Sequence, residues 1–294
     1  MKTEALAFDL PQAVYAQVPP EARGLERDQV RLLVSSRRDG THRHDSFLGL
    51  AKYLKPGDLL VVNNSRTIPA SLPARIGRFP VRLHLSTDLN DGRWIVEVRV
   101  GSPIRYPYVA GEWPLRFYQT LFAKVDGSAE MPSAGRPFTP RVLRFLRQKG
   151  VEIAEVTLHT GVSSHELVHP NVEEHATYPE WYSIPEKTVQ AIRAAKEAGR
   201  RVIAVGTTVV RALESAANDQ GVVVPASGFT ELFVHPGYRL RVVDGLLTGF
   251  HAPVTSHLAM LCAFIERDTI MDVYEEAVAR GYLWHEFGDV HLII

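Results

Sequence analysis

Four apolar residues, Val202-Ile203-Ala204-Val205, run without a polar break into Gly206-Thr207-Thr208 and then Val209-Val210-Arg211-Ala212-Leu213-Glu214. Such a run is a buried strand of the kind parallel sheets use. The glycine and two hydroxyl residues make a tight turn into a helix that reaches about Ala217. The text around this unit repeats the pattern. Arg141 to Lys149 is a helix ended by Gly150. Val151 to Leu158 is a strand, and Pro185 to Ala198 is a helix with proline in its first turn and Gly199 beyond its end. Helices near Thr255 to Ile265 and Thr269 to Arg280 follow, and a short apolar strand closes the chain. Alternation of this kind predicts an α/β fold with a largely parallel sheet flanked by helices.

The amino-terminal part contributes two more strands. Leu32-Leu33-Val34 is stopped by the turn at Asp39-Gly40. Pro56-Gly57-Asp58 turns into Leu59-Leu60-Val61-Val62, which leads to Asn63-Asn64-Ser65-Arg66. From Ser65 to Gly127 the texture changes. Arg82 to Leu85 and Trp94 to Val100 alternate with period two, as half-buried antiparallel strands do. Asn90-Asp91-Gly92 is a hairpin turn between strands, and Pro103, Pro107 and Pro114 punctuate the rest. The expected organisation is a discontinuous α/β domain, 1–64 and 128–294, interrupted by a small antiparallel β domain at 65–127.

Composition narrows the function. Formal net charge is +0 over 294 residues, so RNA would have to be held by a local basic patch. Arg141, Arg144 and Arg147 form one helix stripe that could hold phosphates or be a solvated face. With Cys262 the one cysteine, no disulfide forms within the chain and no cysteine-based zinc knuckle is possible. Acids interrupt Met1 to Asp9 where an export signal needs an apolar core. Leu258 to Ile265 is too short to span a bilayer. A cytoplasmic protein without membrane contact is expected.

Three constellations can carry chemistry. The free amides at the helix start after Gly206, with Thr207, Thr208 and Arg211 one turn on, favour a carboxylate or phosphate. The same residues also read as a helix capped by Thr207 or Thr208. Asp244-Gly245 lies between two strand-like runs, with Thr248 and His251 in or near a loop. Histidine is the usual proton carrier near neutrality and an aspartate can orient it, although Asp244 could equally just make the turn. His165-Glu166-Leu167-Val168-His169, with His175 beyond, has the letters of a zinc-protease motif. Pro170 would cut the helix that motif needs, so a loop is expected, with at most weak metal binding. The aromatics Tyr106, Tyr108 and Trp113 could stack bases or belong to a core.

Taken in order, these segments resemble the S-adenosylmethionine:tRNA ribosyltransferase-isomerases of queuosine biosynthesis. The resemblance runs through Phe8-Asp9-Leu10-Pro11, Ala16-Gln17-Val18-Pro19, Asp28 to Leu33, His44 and Leu54 to Asp58. It continues in Asn63-Asn64-Ser65-Arg66-Thr67-Ile68-Pro69-Ala70, Tyr118-Gln119-Thr120, Pro132-x-Ala134-Gly135 and Val202 to Ser215. Pro236-Gly237, Val242-Val243-Asp244, Phe250-His251-x-Pro253 and Phe287-Gly288-Asp289 complete it. It implies a barrel-like form for the inserted β domain. It also implies a reaction: the ribosyl part of S-adenosylmethionine moves onto 7-aminomethyl-7-deazaguanine at the tRNA wobble position. Epoxyqueuosine-tRNA forms, and adenine and methionine leave.

That reaction needs no metal and no cofactor beyond S-adenosylmethionine as donor. The resemblance implies the tRNA anticodon loop as partner, and a monomer is expected. The chemistry asks for a base beside the sulfonium and an acid for departing adenine. His251 and Asp244 are the first candidates for proton handling, followed by Asp289, His175 and Glu180. Asn63, Asn64, Arg66, Gly206, Thr207, Thr208, Arg211, Glu214 and Thr248 are candidates for substrate binding. The chain departs from the family's text at Arg136-Pro137, Ser163-Ser164-His165, Tyr178-Pro179, Gly249, Val254-Thr255-Ser256 and Val290-His291, and its β insert is short. These changes fall in loops, where ligands are handled. A paralogue of the same fold with a different acceptor is therefore the alternative, and a histidine-cluster metal protein a more distant one.

Overall fold

A computed structural model describes residues 1–99, 108–161 and 166–294. The regular elements among them begin with β1 (Arg31–Ser35), β2 (His42–Ser46), β3 (Leu59–Asn63) and β4 (Ser65–Thr67). Next come β5 (Ser71–Ile76), β6 (Phe79–Asp88), β7 (Trp94–Arg99) and β8 (Val125–Ser128). Then follow α1 (Pro140–Gln148), β9 (Glu152–Leu158), β10 (Glu180–Ile184), α2 (Glu186–Glu197), β11 (Val202–Val205) and α3 (Thr207–Ser215). The chain finishes with β12 (Ala226–Thr230), β13 (Gly245–Gly249), α4 (Ser256–Leu261), α5 (Arg267–Ala279) and β14 (Val290–Ile293).

Nine strands form one sheet in the order β12-β10-β9-β3-β11-β13-β14-β1-β2. Its centre, β9-β3-β11-β13, is parallel throughout, and β14 with β1 is parallel as well. Antiparallel pairings join β13 to β14 and add β10, β12 and β2 at the flanks. Helices cover both faces of the centre, which the side-chain alternation records. Leu59 and Val61 pack with Val189 and Ile192 of α2 and Val209 and Leu213 of α3. Leu60 and Val62, the residues between and after them, pack on the other face with Val142 and Leu146 of α1. That is why β3 and β11 are apolar without a break.

Strands β5, β6 and β7 form a separate antiparallel meander. Gly77 at φ 60° makes its first turn; Asn90 at φ 60° and Gly92 at φ 84° make the second. The ends of the 65–127 segment run side by side, since β4 pairs with β8 in parallel. Val100, Pro103, Tyr106, Pro107 and Ser163 to His165 lie outside the described residues.

Two local expectations are corrected. Gly206 caps α3, at φ 100° and ψ 150°, and no threonine side chain does. That backbone region is open essentially to glycine alone. Asp244-Gly245 is not a hairpin turn. Gly245 opens β13, which pairs in parallel with β11, and Asp244 accepts from the Val202 amide at 2.8 Å and from Lys196 Nζ at 2.8 Å. It thus ties the amino ends of two parallel strands together.

Candidate active site

Strands β11 and β13 both end at one cavity of about 900 Å³. This is where open α/β sheets place ligands, outside the carboxyl ends of their strands. Gly206, Thr207 and Thr208 line it after β11, Thr248 to Ala252 at and after β13, and Thr160 after β9. Met131 to Ala134, Tyr15, Tyr108 and the loop residues His285 and Glu286 also line it.

The amino end of α3 faces this space. The dipole and the first amides of a helix favour an anion there. Asn63 Nδ2 donates to Thr208 Oγ1 at 3.2 Å and to Leu158 O at 2.8 Å, so Asn63 fixes a hydroxyl of the wall from behind. Arg211 is turned away from any free role. It ion-pairs with Glu180, and its Nε donates to Leu232 O at 2.9 Å and Nη2 to Thr230 O at 3.2 Å. Glu180 also accepts from the Gly161 amide at 2.8 Å. The pair therefore shapes the wall as a neutral unit.

Thr248 Oγ1 lies 2.8 Å from His251 Nε2, and the His257 ring is 5.0 Å from that of His251. Burial, and then the neighbouring His257, His285 and His291, hold the His251 imidazole well below its usual range. The lowered pKa favours its neutral form. Trp284 Nε1 donates to the His251 carbonyl at 2.9 Å and holds the loop.

His285, at φ 70°, is stacked 4.0 Å from Tyr108 and 5.0 Å from Tyr15. Burial pushes its imidazole down to about 4, and Nε2 is buried with no hydrogen-bond partner among the described residues. Tyr108 donates to Glu286, whose carboxyl burial pushes up. Among the described residues the wall carries four glutamates; Glu180 is neutralised by Arg211 and burial favours the protonated form of Glu286, which leaves Glu130 and Glu166 to set the charge. Such a lining suits a ligand that carries positive charge.

Of the residues singled out in the sequence, Gly206, Thr207, Thr208, Arg211, Glu180, Thr248, His251 and Tyr108 meet at this cavity. Glu166, Gly249 and Thr255 line it as well, and the remaining site candidates do not. Glu214 is fully buried and accepts from the amides of Arg241, Val242 and Val243, which anchors that loop. Asp289 accepts from the amides of Arg31 at 2.7 Å and Leu283 at 2.8 Å, which shapes the loop carrying His285 and Glu286. Asp244 sits at the opposite end of β13. Asn64 accepts from Thr157 Oγ1 at 2.7 Å, Arg66 pairs with Asp126 at 3.5 Å, and His175 packs edge-on against Phe233. Tyr15, Glu130, His257, His285 and Glu286 were not singled out, since no motif marks them.

A family model described as queuosine biosynthesis protein matches residues 3–106 and 93–293 of the chain. The chain belongs to this family. An S-adenosylmethionine:tRNA ribosyltransferase-isomerase of Carboxydothermus hydrogenoformans is 38% identical over 100% of both chains. Its counterpart in Moorella thermoacetica is 36% identical, again over 100% of both. The crystal structure of an S-adenosylmethionine tRNA ribosyltransferase from Thermotoga maritima is similar with a TM-score of 0.64. It is 30% identical and covers 99% of this chain and 100% of its own. Aligning the 294 residues with the Carboxydothermus relative takes 343 positions, so this chain is the shorter by tens of residues. The family match breaks into two overlapping parts at 93–106.

Proposed function

We propose that this family member transfers and isomerises the ribosyl group of S-adenosylmethionine onto 7-aminomethyl-7-deazaguanine at the wobble position of tRNA. Adenine and methionine leave and epoxyqueuosine-tRNA remains. The observation that carries the reading is the meeting, in one acidic cavity, of a helix amino end, the neutral His251 held by Thr248, and the Tyr15, Tyr108 and His285 rings. The sulfonium acidifies a neighbouring proton, and His251 is the base assigned to take it. Glu286, with its raised pKa and its bond from Tyr108, is the acid assigned to departing adenine. Glu130 and Glu166 face the sulfonium's charge, the start of α3 receives the methionine carboxylate, and the three rings stack a base.

On this reading the reaction uses no metal or second cofactor, and the protein works in the cytoplasm as a monomer. Residues 65–127 are then an inserted, barrel-like domain between 1–64 and 128–294. A second reading keeps the donor and changes the acceptor. Gly249, a departure that lines the cavity, favours it. Incubating the protein with S-adenosylmethionine, with and without tRNA carrying the 7-aminomethyl-7-deazaguanine base, separates the two. Adenine release that requires the tRNA is the expected result. No release, with S-adenosylmethionine still bound, would favour the second reading; absence of binding would overturn both.

A further inference from the structure

Strand β2 is the edge of the nine-stranded sheet and is paired on one side, to β1. Its sequence, His42-Arg43-His44-Asp45-Ser46, is unusual for a strand. His42 and His44 are two residues apart and so project from the same face. On that face they meet Glu276 of α5, which offers one carboxylate oxygen to each. His42 Nε2 bonds to Oε2, and His44 Nε2 lies 3.0 Å from Oε1. The two imidazoles stand at 88°, with centroids 5.9 Å apart. The three donor atoms all lie within 4.8 Å of one another, and the site is open to solvent.

We propose that His42, His44 and Glu276 form a zinc site that clips the edge strand to α5. Two imidazoles and a carboxylate are a zinc donor set, leaving a fourth position for water. Zinc bonds of about 2.0–2.2 Å require only small side-chain rotations from this spacing. The outer partner such sites use is also present, because His44 Nδ1 lies 2.8 Å from Tyr282 Oη, which fixes the ring. Arg280 Nε donates to Glu276 Oε1 at 2.6 Å and competes with a cation there. None of the three ligands lines the catalytic cavity, and zinc binding is read directly, so the outcome does not depend on the proposed reaction.

The test is calorimetric titration of the purified protein with zinc chloride, with metal content by elemental analysis after dialysis. One equivalent is expected. His42→Ala and His44→Ala each weaken binding by about tenfold or more. Arg280→Gln tightens it severalfold, while adenine release is unchanged in all three. Chelation lowers the melting temperature of the parent but not of the His44 variant. No stoichiometric zinc would overturn the proposal. So would an affinity unchanged from the parent in both histidine variants, which would place the metal among the cavity histidines.

Discussion

His251 owes its chemistry to its surroundings. Its folded pKa lies below the usual value, so the neutral, proton-accepting form persists on acidification until the pH falls well below 6.5. The expected kcat/KM profile therefore has no break near 6.5 from this residue. A break there that vanishes in His251→Gln would contradict the lowered pKa. His251→Ala should cut turnover by about a hundredfold or more, read as adenine release, and near-normal rates would remove it as the base. His291 shows the same physics in the core. Burial lowers its pKa to about 3 from 6.5, so the unfolded chain binds the proton first. Its contribution to stability is complete above 6.5 and declines as pH falls toward 3, by up to about 1.4 kcal/mol per pH unit. Urea unfolding at neutral and acid pH checks this, and His291→Phe should flatten the dependence; an unchanged slope would refute it. Residues with a local signature were legible: Gly206 to Arg211 are contiguous at a strand-to-helix turn. Asp244, Glu214 and Asp289 lie outside the cavity, and the sequence does not show this, because a carboxylate that accepts from backbone amides looks the same there as one that handles a ligand or a proton.

At the scale of elements, α3 is set by what lies behind it. The Arg211–Glu180 pair joins α3 to β10, with both side chains buried. Removing one partner leaves an uncompensated buried charge. Glu180→Ala is thus expected to cost about 3–5 kcal/mol in urea unfolding, and Glu180→Leu with Arg211→Met to recover much of that loss. A single change costing under about 1 kcal/mol would show that the pair is not the tie it looks to be. Elements with strong periodicity and caps, such as α1, α2 and β11, were readable in advance. Strands β10 and β12 were not. Both are short flank strands, and β12, Ala226-Ser227-Gly228-Phe229-Thr230, carries neither an apolar run nor a clean alternation. Its identity comes from pairing with β10 rather than from propensity.

Across the whole molecule, segments distant in sequence converge on one cavity, and this was the least legible part. Tyr15, Glu130 and His285 have no shared motif; the sheet order alone brings them together. With a net charge of +0, tRNA must be held locally. Arg144 and Arg147 are exposed on α1, while Arg141 is bound to Asp28. Replacing Arg144 and Arg147 by alanine should weaken tRNA binding and reduce the magnitude of the slope of log K against log salt by roughly two. An unchanged slope would move the RNA surface elsewhere. Ribosyl transfer is tested by following the label. The protein is incubated with precursor tRNA and S-adenosylmethionine labelled either in the ribose or in the methyl group, and the tRNA is digested to nucleosides. Ribose label in the modified wobble nucleoside, with none from the methyl group, is the predicted result. Methyl label in the tRNA, or no label from either donor, would contradict it.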